Sequence, residues 1–177
     1  MQLHEAQADL RRGYVGGGPG VIISGLVWGA AAVIEARSGP VLGFAALFLG
    51  GMLIFPLSLF TARALFRRAG AQKGNGLTPI AIESTASMIA GLFAAYLFLS
   101  IEPRLVFPIA ALAVGAHYFA FRTLYGEPLF VALGALIAAL GLNGVFSWVV
   151  LPGGLLWWVA CVEILAGVIL TAKNLRS

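Results

Sequence analysis

Charge is scarce in this 177-residue sequence: Asp, Glu, Lys and Arg together make 10%, against 60% hydrophobic residues and a mean hydropathy of +0.97. Soluble proteins carry about 25% charged residues, so this composition cannot supply a water-facing shell, and a soluble enzyme is excluded. Cysteine is nearly absent. The single Cys161 lies in an apolar run, which excludes an internal disulfide and a cysteine-based metal centre within one chain. Histidine is limited to His4 and His117, no metal-ligand spacing exists, and neither a metal nor a cofactor is expected. Catalytic signatures are missing too. There is no Gly-x-Ser-x-Gly elbow, no His-Glu-x-x-His and no paired acidic motif, so enzymatic activity is not expected. Basic residues outnumber acidic ones by 11 to 7, but no basic run exceeds a pair, which makes a poor surface for nucleic acid.

Long apolar runs are what the sequence has in abundance. A crossing of about 30 Å of hydrocarbon needs about 20 residues at about 1.5 Å each. Six stretches qualify: Tyr14 to Ile34, Val41 to Ala62, Pro79 to Ile101, Leu105 to Phe121, Leu129 to Val150 and Leu155 to Ala172. The last two are separated by Pro152, Gly153 and Gly154, where proline removes a donor and glycine permits reversed dihedrals. A break at Asn143 and Gly144 would leave the fifth span about 21 Å long, so a kink is placed there, with others at Pro56 and Pro108. Lys and Arg fix the orientation. With the N-terminus inside, nine (Arg11, Arg12, Arg63, Arg67, Arg68, Lys73, Arg122, Lys173, Arg176) fall on the cytoplasmic side and two, Arg37 and Arg104, on the other. Trp148, Trp157 and Trp158 near the outer boundary, with Tyr14 and Tyr125 near the inner one, match an aromatic belt. The expected fold is therefore all-α, a polytopic bundle of six transmembrane helices with both termini cytoplasmic.

Residues 1–13 form a short polar segment ahead of the transmembrane domain, 14–177, and are expected to lie as an amphipathic helix on the inner surface. Arg11 and Arg12 loosely imitate a twin-arginine export signal, but no Ala-x-Ala site precedes Glu35, so the first span is expected to be retained. Ile34 to Arg37 and Ile101 to Arg104 share an Ile-Glu-x-Arg pattern 67 residues apart, which hints at duplicated hairpins. Small residues recur four apart, as in Gly25 and Gly29, the Ser87, Gly91, Ala95 line, and Ala111 with Gly115. Such spacing lets helix backbones approach in lipid. The run Gly16, Gly17, Gly18, Pro19, Gly20 reads as close packing at a helix entrance, with an anion or headgroup site as the alternative.

Ionisable groups within the spans are the sharpest functional signal, since each costs a few kcal/mol in the bilayer unless neutralised, paired or hydrated. Three qualify: Glu83, His117 and Glu163. Measured from the cytoplasmic helix ends they lie about 6 Å, about 6 to 10 Å and about 13 Å deep. Glu163 is flanked at helical spacing by Val159, Ala160, Ala166 and Gly167, so it must be protonated, face water, or meet a partner, of which His117 is the only group able to be cationic. For Glu83 the plain alternative is an ion pair with Arg63 across the loop between spans two and three. Thr78 and Pro79 read as the cap and first residue of span three.

Tyr14 to Gly20, Ser24 to Trp28, Gly51 to Pro56, Glu83 to Thr85 and Thr123 to Gly126 together resemble a family of small bacterial membrane proteins of unassigned function. The resemblance touches most of Tyr14 to Gly134, implies a multi-helix membrane protein and names no substrate. The reading is a multi-pass protein of the bacterial inner membrane that binds or transports a small solute or proton through an inward-facing polar pocket, with Glu163 as the central acid and Glu83 and His117 as coordinating groups. The alternative is a non-catalytic assembly or packing subunit of a membrane complex. Its partners are then the lipid bilayer, a small solute or proton, and a second copy or another membrane protein, with no nucleic acid.

Overall fold

The computed structural model describes residues 2–176. Among them there are seven α-helices and no strand: α1 (Leu3–Tyr14), α2 (Gly18–Ser38), α3 (Pro40–Ala64), α4 (Thr78–Ile101), α5 (Val106–Tyr125), α6 (Leu129–Phe146) and α7 (Leu155–Arg176). Six helical stretches, with α1 and α2 merged in the first, are long and apolar enough to cross a membrane. Each expected span therefore appears, with shifted ends. The first begins four residues late, because α1 and α2 are separated by Val15, Gly16 and Gly17, all left-handed (φ 51°, 61° and 78°). Left-handed backbone suits glycine and strains a β-branched residue. Val15 is held there fully buried.

The fifth span stops at Phe146 rather than Val150. Asn143 is the cause: its side-chain oxygen accepts from the Val149 N–H at 2.8 Å and its amide donates to the Val149 carbonyl at 2.9 Å. With Ser147 left-handed (φ 55°), this clasp terminates α6, so Asn143 is a stop rather than the expected kink. Pro108 is also no kink, since it sits in the first turn of α5, where a helix has no donor to lose. Pro56 alone lies inside a helix, the unbroken α3. Thr78 is the first residue of α4 rather than its cap: Leu77 holds the cap position with no side-chain cap, and Asn75 accepts from the Leu77 N–H at 3.0 Å in the turn before it.

Packing joins the helices in the order α3, α2, α7, α6, α5, α4 round the bundle, with only thin contact from α4 back to α3. Two groups of three result, α2 with α3 and α7, and α5 with α4 and α6, meeting along a seam of α7 against α6 and α5. The hairpins α2–α3 and α4–α5 both form. In the first the leading helix is the inner one and in the second the trailing helix is, so their packing is not that of a parallel duplication.

Glycine makes the tightest joints. A Cβ on Gly115 would lie 2.7 Å from the Ala138 nitrogen and 2.8 Å from the Gly134 carbonyl, and one on Gly25 would lie 2.8 Å from the Ala160 carbonyl. These small-residue positions are backbone contacts of α5 with α6 and of α2 with α7. The glycine entrance to α2 is likewise filled by protein: Asn174 stands against Gly16, Thr171 against Gly18, and Tyr125 and Phe130 against Gly17. Contact between Gly16 near one terminus and Asn174 near the other places both at one end of the bundle, called here the terminal end.

The polar N-terminal segment is helical from Leu3, as α1 (Leu3–Tyr14), and α1 docks on protein. Gln7 donates to the Thr123 carbonyl at 2.8 Å, and the Arg11 guanidinium donates to the Tyr125 carbonyl. Asp9 accepts from the Asn75 amide at 2.8 Å and the Gln72 N–H at 3.0 Å. α1 therefore clamps the 65–77 segment and the end of α5 together.

Candidate functional site

Glu163 sits in the middle of the stripe that α7 turns inward: Leu156, Val159, Ala160, Glu163, Ala166, Gly167 and Leu170 are its buried residues. Their spacing of three and four puts them on one helical face, so an acid at position 163 has no route to the lipid. Glu163 is 0% exposed. Two other inward stripes meet it. α2 contributes Ser24 from the run Val21, Ser24, Gly25 and Trp28, and α5 contributes Tyr118 one turn from Val114 and Gly115. The Tyr118 hydroxyl donates to Glu163 Oε1 at 2.8 Å. Ser24 is buried beside both groups. Glu163 Oε2 is buried and has no hydrogen-bond partner.

Tyr118 is itself fixed by aromatic packing, its ring stacked on Phe130 at 6.2 Å and 22° and edge-on to Phe121 at 5.9 Å. That cage leaves the hydroxyl pointing across the seam. The hydrogen bond to Glu163 thus joins the two three-helix groups, and so does the Lys173–Glu127 ion pair at 2.6 Å at the terminal end.

His117 is not the partner of Glu163. Adjacent helical residues point about 100° apart, so with Tyr118 directed at α7, His117 faces α4. There its Nδ1 lies 2.7 Å from Ser84 Oγ, in a depression of about 330 Å³ that also involves Met88 and Ala113. Glu83 is exposed on α4, and among the described residues its carboxylate has no hydrogen bond or ion pair. Arg63, exposed at the end of α3, does not reach it. The reason lies in the connection: α3 and α4 are joined by the segment 65–77, which packs beneath α1, and their ring contacts lie elsewhere, Phe44 with Tyr96 and Phe48 with Phe93. The three acids and bases expected to converge are therefore on separate faces. Tyr118 and Ser24 were the residues missed, although a period of 3.6 through Ala111, Val114 and Tyr118 carries the first.

The depression beside His117 does not have Glu163 in its lining. A cavity of about 310 Å³ lies at the end opposite the terminal end, where the six helices finish, lined by Glu35, Arg104, Pro40, Phe107, Leu155 and Leu156 among others. Seven steps along α7, about 10 Å, separate Leu156 from Glu163, and fully buried Trp28 stands one turn from Ser24 on that side. Among the described residues no three His, Cys, Asp or Glu side chains gather as a metal-binding group.

An all-helical chain with six apolar helices of spanning length and an acid sealed between them defines a multi-pass membrane protein. The chain belongs to the Family of unknown function (DUF7010), whose family model matches residues 3–175. No curated protein and no solved structure matches it.

Proposed function

We propose that this is a protein of the bacterial cytoplasmic membrane, with both termini inside, that binds or moves a proton or small solute along the seam between its two helix groups. Glu163 is the proton-carrying acid, Tyr118 orients its carboxyl, and Ser24 completes a polar cluster. The observation that carries this reading is the buried Oε2 without a partner. An ionised carboxylate with an unpaired oxygen in an apolar interior costs several kcal/mol, and a proton on that oxygen removes the charge. The cluster sits where two groups of helices meet, so a small rocking of one against the other exposes it to one end or the other, as in alternating access. Glu83 and His117 lie outside this cluster and take no part in it.

Infrared difference spectroscopy of the purified protein in lipid tests the proposal. The carboxyl band lost in Glu163→Gln is expected to titrate reversibly when the bulk pH is changed, and to shift in Tyr118→Phe. A band indifferent to bulk pH refutes proton handling. That outcome favours the assembly reading, which draws support from the broad apolar faces of α3 and α4: Leu53, Phe55, Phe60, Phe93 and Leu97 are all exposed.

A further inference from the structure

We infer that the cavity at the end opposite the termini is a binding site for a molecule carrying an ammonium and an anionic group beside a short apolar body. It rests on the reading of the seam as a solute path, and gives that path its substrate class. Charge is the first argument. The chain segments that finish at this end carry four charged residues, Glu35, Arg37, Glu102 and Arg104, which sum to zero, so the local field favours neither a pure cation nor a pure anion.

Placement is the second argument. Glu35 comes from the α2 group and Arg104 from the α5 group, so the lining brings an acid and a base from opposite sides of the seam. Among the described residues the two form no ion pair with each other. Arg104 is engaged through Nε alone with exposed Glu102, at 3.4 Å, a surface contact of the kind worth little, and its guanidinium retains donors for an anion. The rest of the lining is apolar, with Pro40, Phe107, Leu155 and Leu156 among it. A volume of about 310 Å³ is at the small end of the range for ligand pockets. Because both halves supply a recognition group, a ligand bridging Glu35 and Arg104 draws the two sides of the seam together.

This chemistry occurs in a free zwitterionic solute and in the headgroup of a zwitterionic lipid, and binding to the protein in nanodiscs separates the two. The soluble probes are leucine, leucinamide, which keeps only the positive charge, and 4-methylpentanoate, which keeps only the negative one. The lipid probes are lysophosphatidylethanolamine and lysophosphatidylglycerol. Leucine is expected to bind if the source is a free solute, and lysophosphatidylethanolamine if it is a lipid, each at least about tenfold more tightly than its singly charged analogues. Glu35→Gln and Arg104→Gln, both at the bundle end and checked for monodispersity, are each expected to weaken that binding about tenfold.

Equal affinity for the singly charged analogues, indifference to both substitutions, or no binding of either zwitterion overturns the site. A protein that binds the zwitterion while its Glu163 band ignores bulk pH refutes the proton reading alone. One whose band titrates but that binds neither zwitterion refutes the cavity alone.

Discussion

α4 and α5 are neighbours, both strongly apolar and of similar length, yet they inhabit different surroundings. Of the 24 residues of α4 only Leu92 and Ala95 are buried, whereas α5 buries ten of its 20. The difference is one of size and polarity on the inner face rather than of hydropathy. α5 presents Ala110, Ala111, Val114, Gly115 and Tyr118 inward, a stripe small enough for α6 to approach its backbone and polar enough at one point to meet Glu163. α4 carries large side chains outward, with Ile82, Phe93, Tyr96 and Leu97 exposed. In lipid, burying an apolar side chain against another helix gains little over leaving it among acyl chains, so close packing and hydrogen bonds decide which helices become central.

The strongest way to break this contrast is to put a large side chain on each kind of helix. Gly115→Leu forces side-chain atoms into the Ala138 and Gly134 backbone, which cannot swing aside, and is expected to destabilise the bundle by about 3 kcal/mol, the upper part of the overpacking range. Gly51→Leu on the lipid side of α3, where a Cβ meets nothing within 4 Å, is expected to leave stability unchanged. Thermal unfolding in detergent compares them. Equal losses would mean that close backbone approach is not what makes α5 central.

A smaller effect sharpens the same contrast at its polar point. Tyr118→Phe keeps the ring and its stacking on Phe130 but removes the donor to Glu163, and is expected to cost about 1 kcal/mol, the scale of an interhelical hydrogen bond in membrane proteins. Unfolding in detergent against wild type measures it. A loss as large as that of Gly115→Leu would put this one hydrogen bond across the seam on a par with the close backbone contact of α5 and α6 within its group.

How much of this was legible in the sequence follows from the same physics. Six apolar runs of spanning length predicted six helices, because the length needed to cross hydrocarbon is a property of one segment at a time. The early stop at Phe146 depends on the Asn143 side chain folding back on Val149, a local contact that hydropathy does not register. Glu163 was recognisable as buried from its apolar neighbours on one helical face. Its partner was not, since charge alone pointed to His117, whereas the neighbour that reaches it is Tyr118, and only the rotation of α5 relative to α7 decides between adjacent residues. The 65–77 segment misled for a related reason. Loop flanks imply proximity when a loop is a tight turn, and this one is drawn beneath α1 by Asp9 and Asn75.

That last point yields the smallest predicted effect and the most direct check on how α3 and α4 stand at the terminal end. If Arg63 and Glu83 were paired, removing either would expose the other's charge, and a double-mutant cycle would return a coupling of about 0.5 kcal/mol or more, increasing at low salt. With no ion pair between them and both side chains exposed, Arg63→Gln, Glu83→Gln and the double variant are each expected to unfold like wild type, with a coupling near zero at any ionic strength. A clear, salt-sensitive coupling would bring the ends of α3 and α4 together and close the opening in the ring of helices. α4 would then be tied to the rest of the bundle on both sides, and its exposed face would no longer contrast with the buried stripe of α5.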